Sequence, residues 1–218
     1  MKCPRCVQRI HRGASQCPHC GYSLAEADAR FGGGDVHLRK LTDSAGVMRR
    51  VERQRVESAM ERFERRFPQL FFAVHTGGKF HETAHLRQFG FWLLNRGAFE
   101  DVPVDRPNEA GILLVLDAEA KAAGLTFGYA LDAYLDDEDT FECLSRAHAY
   151  WLEGRYADGV LRLMEQLERT LTRRSRQARR DPERFERIVG PPPQMGDLVR
   201  KIRAGHRKPE HEEQEVAK

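Results

Sequence analysis

The sequence has no apolar run approaching the ~18 residues that would cross a bilayer. Its longest such runs, Leu70 to Val74 and Ile112 to Leu116, suit core segments. The first residues also lack the apolar stretch of a secretory signal, since Cys3 and Cys6 are followed by Arg9, His11 and Arg12. The expectation from both absences is residence in the cytoplasm with no membrane span. Net charge is small, +3 over 218 residues, and 40% hydrophobic content suffices for one real core, so the chain is not disordered as a whole. The charge is uneven. Residues 172–218 carry thirteen Lys and Arg against eight Asp and Glu, an excess of five that leaves −2 for residues 1–171. A basic tail on a near-neutral body is an appendage rather than a dedicated nucleic-acid surface. Its arginines, from Arg173 to Arg187, are interleaved with a single aromatic, Phe185, so no base-stacking platform is available. Nucleic acid is expected to bind there only weakly and non-specifically, through phosphate charge. Residues after Pro209 are expected to be disordered. No internal repeat is evident.

Five cysteines are present, and four of them fall in the first twenty residues as C-P-R-C and C-P-H-C-G. Each C-x-x-C knuckle presents two thiolates from a tight turn, and two such pairs close a tetrahedral zinc site without an open position. Cys3, Cys6, Cys17 and Cys20 are therefore the candidate zinc ligands, and the metal is structural. The alternative is four free or disulfide-bonded thiols. A unit this short cannot fold on packing alone, so metal binding supplies most of its folding free energy. His19 inside the second knuckle is a surface residue on this reading. Cys143 has no Cys or His at ligand spacing and reads as a small core residue.

The body is organised around Asn108 to Asp137. Ile112 to Leu116 reads as a strand buried on both faces. Leu125, Phe127 and Tyr129 alternate in a second strand, ending at Asp132, that returns beside it across a turn near Lys121. This hairpin is the expected sheet centre. Upstream, Ser23 to Asp35 is acidic, small and then glycine-rich through Gly32, Gly33 and Gly34, which reads as a flexible linker. Val36, Leu38 and Leu41 alternate like a short lead-in strand. Val56, Met60, Phe63 and Phe67 fall at helical spacing before Pro68, Leu70 to His75 reads as a strand, and a helix is expected from about His81 to Arg96. Downstream, Asp137 or Asp139 can cap a helix whose shared face is Phe141, Leu144, His148 and Trp151. After Gly154, a further helix carries Tyr156, Val160, Leu163, Leu167 and Leu171 on one side.

His81-Glu82-Thr83-Ala84-His85 matches H-E-x-x-H, in which two histidines one turn apart hold zinc and the glutamate activates water. Here it opens its helix just after Gly77-Gly78, Gln88 stands where the longer motif requires glycine, and Glu100, Asp101 or Glu109 would have to supply a third ligand. An exposed polar helix face is the competing reading.

Two stretches carry family resemblances. M-K-C-P-R-C and C-P-H-C-G-Y resemble the short zinc ribbons found at the ends of many bacterial proteins, which implies a fold and a metal. The order of D-S-A-G-V at Asp43, G-I-L-L-V-L at Gly111, G-Y-A-L-D at Gly128, Asp137 and R-Y-A-D-G at Arg155 resembles the TPM domain over residues 42–171. The founders of that family are a thylakoid-lumen protein, a photosystem II repair protein and a modulator of a nematode receptor. The resemblance implies an α/β fold, a small central sheet flanked by helices on both faces, preceded here by the ribbon. It also brings calcium binding and acid-phosphatase activity reported for some members, with Asp43, Asp132 and Asp137 as the matching cation candidates. Taken singly, those acids also suit a turn, a strand end and a helix cap. Ala130 replaces the family's usual second glycine.

The organisation expected is a ribbon at 1–22, a flexible linker and lead-in strand at 23–41, a TPM-like domain at 42–171, and a basic helical extension and tail at 172–218. The function expected is a cytoplasmic interaction or regulatory module with a protein partner and a structural zinc. The alternatives are a metal-dependent phosphatase and, third, a zinc hydrolase at His81 and His85.

Overall fold

The computed structural model describes residues 2–10, 13–78 and 85–183. Strand β5 (Gly111–Asp117) is buried at every position and lies between two neighbours. Strand β3 (Phe71–Gly77) pairs with it in parallel, Phe71 opposite Gly111 and Gly77 opposite Asp117. Strand β6 (Ala122–Phe127) pairs antiparallel, Leu113 opposite Thr126 and Val115 opposite Gly124. Strand β2 (Leu41–Asp43) adds in parallel outside β3, so the order is β2-β3-β5-β6. The hairpin turn does fall at Lys121, which takes φ 51°. The second strand is shorter than the alternation implies. Gly128 donates its N–H to the Gly111 carbonyl at 2.9 Å, and Tyr129–Leu131 then wind into a 3-10 turn.

Period 2 divides the sheet's side chains between two cores. On one face Phe72, Val74, Ile112, Leu114 and Leu116 meet helices α2 (Arg50–Arg66), α4 (Asp137–Leu152) and α5 (Tyr156–Arg180) through Met60, Phe63, Trp151 and Leu163. On the other, Phe71, Ala73, Leu113 and Val115 meet helix α3 (Leu86–Arg96) through Trp92 and Leu93. Helices thus cover both faces, as expected. Cys143 is fully buried in the first core, where burial pushes its thiol up to about 12.

The structure revises several local expectations. Residues 23–41 hold helix α1 (Leu24–Phe31) rather than a flexible linker, because Ser23 caps it by accepting from the Glu26 N–H at 3.3 Å and Ala27 buries against α3. Trp92 fastens its end by donating to the Gly32 carbonyl at 2.9 Å. The lead-in strand is two strands. Strand β1 (Val36–Leu38) pairs with β4 (Gly97–Phe99) in a separate two-stranded parallel sheet, while β2 joins the main one. Helix α4 is capped by Asp136, not Asp137 or Asp139. Asp136 accepts from the Asp139 N–H at 2.9 Å, and Asp139 reaches back to the Asp136 N–H. That phase turns Asp139, Cys143, Ala147 and Trp151 inward and leaves Phe141 71% exposed and His148 on the surface. The boundary expected at 171 falls inside α5, which continues to Arg180 while Arg173 and Arg174 pair with the buried Asp139 at 3.0 and 2.7 Å.

Candidate metal centre and adjoining cleft

The two cysteine knuckles have the same main-chain wiring, fourteen residues apart. Cys3 N–H donates to Gln8 O and Val7 N–H to Cys3 O; Cys17 N–H donates to Tyr22 O and Gly21 N–H to Cys17 O, all at 2.8 to 3.0 Å. Lys2 bridges Arg9 and Gln16 bridges Ser23 in the same way. The equivalent positions Val7 and Gly21 take φ 63° and 73°. A structural repeat therefore exists where none is evident in the sequence, because it resides in hydrogen bonding and only C-P-x-C is spelled out.

This wiring brings four free thiols together. Cys3 Sγ lies 3.6 Å from Cys20 Sγ, Cys6 Sγ lies 3.6 Å from Cys17 Sγ, and all four sulfurs are within 4.8 Å of one another. A tetrahedron with metal–sulfur bonds of ~2.3 Å has edges of ~3.8 Å, so the donor set fits a metal ion such as zinc. The charge state supports the same fit. Burial pushes the Cys3 thiol up to about 12. Burial also acts upward on Cys17, but the N–H groups of His19 and Cys20 and the adjacent Cys6 and Cys20 thiols outweigh it and hold that thiol down at about 6. One thiolate forms readily while the Cys3 thiol resists, and a bound cation removes that resistance.

The ribbon is seated on the second core. Cys3, Cys17 and Tyr22 belong to the cluster that contains Trp92 and Leu113, and the Tyr22 and Phe91 rings lie 5.9 Å apart. Arg5 pairs with Glu26 at 2.6 Å, and Lys2 reaches Asp137 at 2.5 Å. Between the ribbon, the start of α3, β6 and the start of α4 runs a cleft of about 660 Å³.

The remaining candidates are dispersed. Asp43 lies on β2, at the opposite edge of the sheet from β6. Its carboxylate accepts from the N–H groups of Val47 and Met48 at 3.1 and 3.0 Å and from the Thr76 hydroxyl at 2.6 Å, fixing the turn into α2. Asp132 and Asp137 line the cleft instead. Among the described residues the four cysteines are the one group of three or more ligands within mutual metal-binding reach. His81 and Glu82 lie outside the described residues, whereas His85 is exposed immediately before α3. Of the tail arginines, Arg173, Arg176 and Arg180 line a basin of about 580 Å³ beside Glu165 and Glu168. The rest of the tail, from residue 184, lies outside the described residues.

Sheet, helices and thiol cluster together define an α/β domain carrying a ribbon whose four cysteines could hold a metal ion. The chain belongs to the TPM domain family, whose model matches residues 41–170, from β2 into α5. Among solved structures it is similar to the N-terminal domain of the cg2496 protein from Corynebacterium glutamicum at 14% identity and TM-score 0.46, covering 62% of this chain and 80% of that one. It is also similar to the N-terminal domain of a protein from P. gingivalis at 23% identity and TM-score 0.47, covering 61% and 82%. Comparison with curated proteins gives no match. No helix among the described residues is long and apolar enough to cross a membrane.

Proposed function

We propose that this is a zinc-dependent interaction or regulatory module of the cytoplasm, in which Cys3, Cys6, Cys17 and Cys20 hold a structural zinc ion and the ribbon shapes a docking surface on the TPM domain. One observation carries the reading: the ribbon's Cys3, Cys17 and Tyr22 are buried in the same apolar cluster as the sheet residues Phe71 and Leu113. A four-thiolate site leaves no coordination position for water, so its contribution is to position a surface. Against the metal-dependent phosphatase alternative, Asp43 spends three acceptor sites on the turn into α2 and lies on the opposite edge of the sheet from the cleft that Asp132 and Asp137 line.

Elemental analysis of the purified full chain should find one zinc per molecule, and Cys17→Ser should weaken its retention by about a hundredfold or more. Retention at wild-type affinity would overturn the metal assignment. Release of phosphate from p-nitrophenyl phosphate in calcium or magnesium, lost in a folded Asp132→Asn variant, would overturn the interaction reading in favour of catalysis.

A further inference from the structure

We infer that the outer edge of β6 is a docking strand, taking up an extended peptide of alternating apolar and acidic residues as a fifth strand of the main sheet. The inference deepens the interaction reading and rests on it.

The phase of the β5–β6 ladder identifies the groups available. Gly128 N–H donates to Gly111 O, so the Gly111 and Gly128 pair is a hydrogen-bonded one. Such pairs recur every second residue in an antiparallel ladder, which makes Leu113 with Thr126, Val115 with Gly124 and Asp117 with Ala122 the other inward pairs. Ala123, Leu125 and Phe127 therefore direct their N–H and C=O groups away from β5, and among the described residues none of these groups has a partner. An unpaired strand edge invites another chain, and proteins commonly blunt it with charge, proline or a covering element. Here the edge has no charged residue and no proline between Ala122 and Phe127, and it opens into the cleft of about 660 Å³.

The walls specify the occupant. On the α4 side the cleft offers Leu144 and the 71% exposed ring of Phe141. On the ribbon and α3 side it offers charge. Lys2 and Arg5 are neutralised by Asp137 and Glu26, and Asp136 is paired with Arg174, which leaves Arg9 and Arg87 as the lining arginines without an ion pair among the described residues. A strand laid along β6 sends successive side chains to opposite walls. One set meets Phe141 and Leu144 and should be apolar, while the other meets Arg9 and Arg87 and should be acidic. Main-chain pairing supplies affinity and the two walls supply the pattern read, which is strand addition as a mode of peptide recognition.

The test is a titration of ¹⁵N-labelled, zinc-loaded full chain with an acetylated, amidated nonapeptide of alternating valine and glutamate. Saturable amide shifts are expected at Ala123, Leu125 and Phe127. N-methylation of the peptide's edge-facing residues should weaken binding about tenfold or more, while methylation of the other set should not. The Arg9→Glu, Arg87→Glu double variant should prefer the corresponding valine–lysine peptide. The inference is overturned by the absence of saturable shifts at millimolar peptide, by equal effects of the two methylation sets, or by shifts centred away from β6. A concentration-dependent dimer in which the same three amides shift without peptide would assign the edge to a second copy and also overturn it. If binding fails while no phosphate is hydrolysed, the interaction reading stands and β6 is removed as its place.

Discussion

Gly159 lies in the first turn of α5, beneath the Trp151 ring of α4. A Cβ built on it meets Trp151 Cδ1 at 2.6 Å and Cε2 at 2.8 Å, inside any real carbon contact. The indole has little room to retreat, being 1% exposed and donating its N–H to the Tyr156 carbonyl at 3.3 Å. Gly159→Ala sets helix propensity against packing. Replacing glycine by alanine inside a helix favours the fold by about 1 kcal/mol. Forcing a methyl group into a filled core costs about 1–3 kcal/mol, and displacing the indole from its hydrogen bond costs about 1 kcal/mol more. Packing should win, with a net destabilisation of about 2 kcal/mol. For a chain of this size that corresponds to a Tm lower by about 4–8 °C. Near-UV circular dichroism of the zinc-loaded protein reads both the transition and the tryptophan environment, and urea unfolding gives the free energy independently. A variant melting at or above wild type, with an unchanged near-UV spectrum, would refute the reasoning by showing that the helices separate at no cost.

Val7 is a β-branched residue at φ 63°, where its counterpart in the other knuckle is Gly21. The left-handed conformation costs a side-chain-bearing residue about 1–2 kcal/mol, offset by about 0.5–1 kcal/mol of extra glycine entropy in the unfolded chain. Val7→Gly should therefore tighten zinc binding several-fold in a chelator competition, and unchanged or weaker affinity would count against the strain. Glu52 accepts from the Arg49 guanidinium and N–H, which hold its carboxyl down at about 2. Because the folded value is depressed, the contribution is full above the unfolded value of 4.5 and is lost as pH falls toward 2. The Tm gap between wild type and Glu52→Gln should accordingly close across that window, and a constant gap would show that the pair does not titrate with folding. Arg173, Arg176 and Arg180 on the last turns of α5 should give nucleic-acid binding that is weak, indifferent to sequence and steeply lost with salt. Tight binding that distinguishes sequences at physiological salt would defeat that expectation.

The strongly patterned segments were legible for direct physical reasons. The apolar run at Ile112 buries on both faces, and the stripe from Val160 to Leu171 keeps helical spacing over three turns. Helix α1 was hidden by its composition, since Ala-Glu-Ala-Asp-Ala resembles a solvated linker. A signal was present all the same. Ser23 followed by Glu26 is the spacing of a capping box, and Ala27 with Phe31 is the start of a stripe. The inner face of α4 lies one position from the expected stripe, a turn of ~100° that places Cys143 and Ala147 inward where Leu144 and His148 were expected. The metal ligands stand out because knuckle chemistry is local. The cleft could not be read, because it depends on where the ribbon docks, and that rests on contacts such as Tyr22 with Phe91, sixty-nine residues apart.

Seating Cys3, Cys17 and Tyr22 in the wall of the second core has a consequence in mass action. An ion held by the folded ribbon and only weakly by the unfolded chain adds RT ln(1 + [Zn]/Kd) to the stability of whatever unfolds with the ribbon. Since that wall is shared with Trp92, Leu93 and Leu113, the quantity stabilised includes the helix and sheet beneath it. If the ribbon holds zinc as proposed, the midpoint of unfolding should rise with the logarithm of free zinc, and metal availability in the surroundings would set how firmly α3 is held against the sheet.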